Sequence, residues 1–72
     1  MTKNELRQAF ADQKPVIFSG SIGAQKYTGT YAKITAIIQR WDGGQVITQA
    51  EILDKQGNAV LIVCPEDLSR AP

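Results

Sequence analysis

From Tyr31 to Cys64 the chain reads YAKITAIIQRWDGGQVITQAEILDKQGNAVLIVC, three apolar runs separated by two turns that carry glycine. Short apolar runs joined by turn chemistry are the pattern of an antiparallel meander, and what remains to decide is its register. A two-residue first turn would put Ile34 and Ile38 on the face of Gln49 and Glu51. A three-residue turn, Asp42 to Gly44, opposes Ile34 to Ile52, Ala36 to Ala50 and Ile38 to Thr48. A one-residue slip exchanges the faces, so the apolar pattern selects the second register. Glycine at the last loop position suits the left-handed residue of that turn class. In the second turn Asp54 bonds to the turn backbone, Lys55 and Gln56 form the centre, and Gly57 takes the left-handed position. Ile52 then opposes Val60, and Ala50 opposes Ile62.

The expected core face is therefore Ile34, Ala36, Ile38, Ala50, Ile52, Val60, Ile62 and Cys64. The other face carries Tyr31, Lys33, Thr35, Ile37, Gln39 and Trp41, then Ile47, Gln49, Glu51 and Leu53, then Ala59, Leu61 and Val63. A solvated antiparallel face is polar at most positions; this one is about half apolar. Its cover could be the N-terminal helix, the first strand of a closing barrel, a second subunit or a ligand.

The flanks support this centre. Thr2 followed by Glu5 is a capping box, and Leu6, Ala9, Phe10 and Gln13 fall on one helical face. Lys3, Arg7, Gln8 and Asp12 form the wet side, and Pro15 ends the helix. Val16 to Phe18 make a short strand beginning at a proline, as an edge or first strand would. Ser19 to Gly29 is a loop or a hairpin tip whose second strand begins near Gln25. Pro65-Glu66-Asp67-Leu68 reads as a proline-initiated helical turn, with Leu68 plugging one mouth of the sheet and Ser69 to Pro72 loose. The expectation is one domain over 1–72: a helix over 1–14, a meander over 15–64 and a tail over 65–72. The class is mainly β with an N-terminal α-helix, its four- to five-stranded antiparallel meander curled into a small SH3-like open barrel.

Composition removes several function classes. Without histidine and with Cys64 alone, neither a Ser-His-Asp nor a Cys-His arrangement, nor an intrachain disulfide, can be built, and no cofactor is expected. A net charge of +1 argues against strong attraction to nucleic acid or an anionic membrane. No apolar run reaches a membrane span, and the charged start MTKNELRQAF is unlike a signal peptide, so a cytoplasmic protein is expected. At 72 residues the core is small, and association into a dimer or higher homo-oligomer is the usual remaining source of stability.

The candidate site residues lie on the half-apolar face. Tyr31, Lys33, Ile37, Trp41 and Glu51 form a surface for another protein; if it is covered, Glu51 needs a partner such as Lys33 or a donor from another subunit. Tyr27, Tyr31 and Trp41 interleaved with Lys26, Lys33 and Arg40 could instead stack and neutralise a nucleotide or a single strand, although Arg40 points away from Trp41 by strand parity. Cys64 reads as a buried small hydrophobe, and Asp42 and Asp54 as turn residues. The loop Ser19-Gly20-Ser21-Ile22-Gly23 has backbone donors for a phosphate but lacks the lysine and helix of a P-loop; a hairpin tip is the simpler reading.

The segments Tyr31…Ile34-Thr35-Ala36-Ile37-Ile38-Gln39-Arg40, Gln49-Ala50-Glu51-Ile52-Leu53-Asp54, Gly57-Asn58, Val60 and Pro65-Glu66-Asp67-Leu68 resemble a group of short bacterial and prophage proteins. Their pattern is an aromatic-x-x-Ile-x-Ala-Ile-Ile-x-Arg strand, a Gln-Ala-Glu-Leu-Leu-Asp strand, a Ser-Val strand and a Pro-Glu tail. The likeness covers roughly residues 27 to 68. It departs at Ala59, where the group has serine, and in the longer glycine-rich loop. The resemblance implies a phage or mobile-element setting and supplies no biochemical function. A weaker likeness, to the plasmid-borne small-barrel dihydrofolate reductases, would put their active-site strand at Val60–Val63. Leu61 and Val63 there replace its polar pair, which argues against that activity.

The expected function is accordingly a non-catalytic binding module that blocks a host protein through the half-apolar face. The alternatives are sequestration of a small nucleotide signal and weak single-stranded nucleic-acid binding.

Overall fold

The alternating runs become one antiparallel sheet with a helix on one side. The computed structural model describes every residue except Gly57. Helix α1 (Lys3–Ala11) precedes strands β1 (Val16–Ile22), β2 (Gln25–Asp42), β3 (Gln45–Asp54) and β4 (Val60–Val63). A 3-10 turn (Pro65–Asp67) then leads into β5 (Leu68–Arg70). The strand order is β4-β3-β2-β1-β5, with every neighbouring pair antiparallel. The expected class holds: an N-terminal helix and a five-stranded antiparallel sheet, which stays open and does not close into a barrel.

The capping box forms as expected. The Glu5 N–H donates to Thr2 Oγ1 at 3.1 Å, and the Thr2 N–H donates to Glu5 Oε1 at 3.0 Å. Both are donors that the first turn of a helix cannot satisfy itself. The helix ends before Pro15. Gln13 adopts φ +53°, its N–H donates to the Phe10 carbonyl at 3.2 Å, and Lys14 N–H donates to the Ala9 carbonyl at 3.0 Å. That pair of bonds is a Schellman closure, and it turns Gln13 off the expected apolar face. Leu6 and Ala9 are buried against the sheet, whereas Phe10, also expected inside, is 39 % exposed. Leu6, Val16, Phe18, Ala32, Ile34, Ala50, Ile52, Val63 and Leu68 form the core, with Tyr27 packed 5.4 Å from Phe18 between ring centroids.

The tail is more ordered than its sequence suggests. Leu68 does plug the core, but Ser69 and Arg70 are not loose: they pair with Ile17 and Val16 on β1. The Met1 ammonium ties the same corner, donating to the carbonyls of Pro65 at 2.8 Å and Leu68 at 3.0 Å.

Both turn registers differ from expectation. The first hairpin has a two-residue turn: Asp42 pairs with Gln45, and Gly43 and Gly44 both have positive φ, +57° and +87°. That is the type I′ geometry whose twist matches the flanking strands, and glycine adopts both positions without steric cost. Near the base the register shifts at Thr35, an extra residue on β2, so Ile34 still opposes Ile52. The expected pairs Ala36–Ala50 and Ile38–Thr48 are replaced by Ile37–Ala50 and Gln39–Thr48. The bulge thus reconciles a tight turn with an apolar base.

In the second turn the Asx contact forms, with Gln56 N–H donating to Asp54 Oδ1 at 2.9 Å. The left-handed role expected of Gly57 lies outside the described residues. Asn58, with φ +54°, donates its N–H to the Asp54 carbonyl, and Asp54 N–H bonds the Ala59 carbonyl. The turn is one residue longer than expected, so Ile52 opposes Leu61 and Ala50 opposes Val63. Leu61 and Val63 therefore face the core, and Val60 and Ile62 leave it. A second bulge on β2, at Thr28 and Gly29, is held by the Gly29 N–H donating to Ser19 Oγ at 2.9 Å.

Candidate binding face

The two slips rearrange the candidate residues. By strand alternation Lys26, Tyr31, Lys33, Arg40 and Glu51 lie on the face away from α1. Ile37 and Trp41 do not: the Thr35 bulge carries both to the other side. There Ile37 packs against the core, and Trp41, 80 % exposed, stands beyond the helix. The expected cluster Tyr31/Lys33/Ile37/Trp41/Glu51 is therefore split between faces. Arg40 does point away from Trp41, and by the same parity it joins Tyr31 and Lys33.

Cross-strand rows define what the open face presents. Ser69, Ile17 and Tyr31 form one row, Lys33, Leu53 and Val60 the next, and Ala36, Glu51 and Ile62 the third. Ile38 beside Gln49 and Arg40 beside Ile47 extend it along the first hairpin. Ile17, Ile38, Val60 and Ile62 are members that sequence reasoning missed. Their signal was present as apolar residues; the side of Ile38, Val60 and Ile62 depends on one bulge and one turn residue, whereas Ile17 follows from its pairing with Tyr31. Among the described residues no element covers this face. Leu6, Ala9 and Leu68 pack on the other side, where a Cβ on Gly20 would sit 3.1 Å from both the Asp67 carboxylate and the Phe18 ring.

Glu51 is half-buried at the centre of the open face. Its carboxylate accepts a bond from Thr35 Oγ1 at 2.8 Å, and the same hydroxyl lies 3.1 Å from the Glu51 carbonyl. The bulge that shifts the register thus also supplies the acid with its donor. Lys33 forms no ion pair with it; the one ion pair among the described residues is Arg70 with Glu5, at 3.8 Å. A neutral hydroxyl leaves the Glu51 charge available to a further donor.

Other candidates resolve structurally. Ser19 to Ile22 are strand residues, and Gly23 with φ +59° opens a two-residue turn to Gln25. The segment is thus a hairpin rather than a phosphate cradle. Cys64, half-buried, precedes the 3-10 turn and forms no disulfide among the described residues, where no three His, Cys, Asp or Glu side chains converge as a metal site. A cleft of about 290 Å³ lies elsewhere, between the end of α1 and β5, lined by residues including Gln8, Asp12, Lys14 and Arg70. Among the described residues no helix is long and apolar enough to cross a membrane. No protein-family model matches the chain, and no curated protein and no solved structure matches it.

Proposed function

We propose that this chain is a non-catalytic binding module whose open sheet face engages and blocks a host protein. One observation carries this reading: among the described residues the face opposite the helix is uncovered yet rich in large apolar side chains, with Tyr31, Val60, Ile62 and Ile47 exposed on it. An exposed apolar patch rimmed by charge is the usual form of a protein-binding surface. Lys26, Lys33 and Arg40 outnumber Glu51 and the tip residue Asp42 on this side, which favours a partner with acidic groups around an apolar centre. The resemblance to short prophage proteins motivates the phage or mobile-element setting, and action in the cytoplasm belongs to the same proposal.

The decisive measurement is retention of a host protein on the immobilised chain. Leu53→Asp and Lys33→Glu should abolish it, while Arg7→Ala on the helix should leave it intact. Equal retention by all three variants overturns the choice of surface.

A second reading, sequestration of a small nucleotide signal, keeps Tyr31 and Lys33 as near neighbours on one face, with Lys26 and Arg40 on the same face but near opposite ends of the 18-residue strand β2. Trp41 no longer contributes to that platform. A thermal-shift series with cyclic and linear nucleotides tests it, because a ligand that binds only the folded state must raise the melting temperature. Single-strand binding ranks below both, and its steep salt dependence would identify it.

A further inference from the structure

We infer that β4 pairs with β4 of a second copy about a two-fold axis, joining two open faces into one surface. The inference rests on the proposed binding face and specifies how the chain associates.

A sheet has two edges, and here they differ. At β5 the strand is three residues long, carries Arg70, and has its Leu68 carbonyl engaged by the Met1 ammonium at 3.0 Å. Short length, charge and an occupied carbonyl are the devices that keep edges from pairing. At β4, one residue longer, neither charge nor an occupied carbonyl operates among the described residues. Its four residues, Val60-Leu61-Ile62-Val63, include no charge and no proline, and among the described residues nothing pairs with its outer side.

The ladder shows which groups are free. Antiparallel rungs alternate between bonded and unbonded pairs. Because Asp54 N–H bonds the Ala59 carbonyl, the rungs Ile52–Leu61 and Ala50–Val63 are the bonded ones. The N–H and C=O of Val60 and Ile62 therefore point outward. Two copies set antiparallel, with Val60 opposite Ile62 of its mate and Leu61 opposite Leu61, satisfy all of these groups with four hydrogen bonds. The register is self-complementary, as a two-fold contact requires. One open edge per copy also closes the assembly at two.

Side chains agree with the backbone. Val60 and Ile62 are 59 % and 38 % exposed on the open face, and the pairing sets each beside the other across the axis. The rows Lys33-Leu53-Val60 and Ala36-Glu51-Ile62 then run into one another, so each copy's apolar strip is completed by its mate.

Sedimentation of the full chain at high micromolar concentration tests the inference without any host partner, so its failure and that of the binding-face reading are separable. The parent should sediment as a dimer of the 7.9 kDa chain. Ile62→Pro removes an outward N–H, a position where an edge strand tolerates proline, and should weaken the dimer about tenfold or more with the far-ultraviolet dichroism retained. Ile62→Lys places a charge beside Val60 of the mate, should weaken it likewise, and decides the matter if the proline variant unfolds. Arg70→Pro on β5 should leave the dimer intact. A monomeric parent, an assembly larger than two, a dimer indifferent to Ile62→Lys, or dissociation by Arg70→Pro alone each overturns it.

Discussion

The base of the sheet and its projecting hairpin are built from similar residues and have opposite environments. At the base, β2 is flanked by β1 and β3, with α1 laid across, and Ala32, Ile34, Ala50 and Ile52 are buried. Residues 39–47, at the far end of β2 and β3, are all exposed even though they include Trp41, Val46 and Ile47. There, among the described residues, β2 and β3 pair only with each other, because the pairing of β1 reaches Ala32 and that of β4 reaches Ala50. A two-stranded ribbon is marginal in water, whereas a third strand and a packed face make a sheet stable. Apolar content therefore does not make a core; a second layer does.

Four substitutions would break or sharpen this contrast. The largest effect belongs to the base. Phe18 is 1 % exposed and touches Tyr27, so Phe18→Ala should cost about 3–5 kcal/mol in chemical denaturation, enough to unfold a small domain. A loss below about 1 kcal/mol would mean that the base is not the seat of stability. Next comes the arm's turn. Gly44→Ala forces an L-residue to φ +87° and should cost about 1–2 kcal/mol if the arm folds with the base. An unchanged midpoint would show that the arm frays independently.

A smaller effect depends on pH. The Glu5 carboxyl is held below its ordinary value, chiefly by the Thr2 backbone N–H, then by the Thr2 hydroxyl and the charge of Arg70, with partial desolvation opposing them. Because the folded value is depressed, its contribution is complete above the unfolded value and is lost as pH falls through the folded one. Thermal melts down an acid series should show Glu5→Gln with a shallower decline than the parent; parallel curves would remove the capping box from the acid response. The smallest effect is expected of Trp41→Ala. At 80 % exposure it should shift stability by no more than about 0.5 kcal/mol, and the parent's fluorescence should be that of a solvated indole. A blue-shifted emission would show that the arm is covered in solution.

Much of the fold was legible because it follows from local chemistry. Thr2 and Glu5 announce the start of the helix, Gly43-Gly44 announces a hairpin, and Asp54 announces a turn; each acts over a few residues. The split of the candidate site was not legible. Tyr31 and Trp41 share strand parity in the sequence, yet the single extra residue Thr35 sends them to opposite faces. Val60 and Ile62 were expected inside for the same kind of reason, since the left-handed Asn58 lengthens the turn by one residue. With a side-chain period of two, one residue inverts a whole strand; Thr35 carries no local mark of its role, and the left-handed tendency of asparagine at Asn58 does not by itself fix the length of the turn.

The sequence by itself determined the helix, the meander from Tyr31 to Cys64, the positions of its turns and the lack of histidine. Tertiary structure decided which apolar residues are core and which are surface, where Glu51 finds its donor, and which sheet edge stays open. Element identity depends on neighbours in the chain. Facing depends on closing a packed layer: Ile34 is buried against Ile52 while the Gly43-Gly44 turn keeps its tight geometry, because the Thr35 bulge within the strand absorbs the difference.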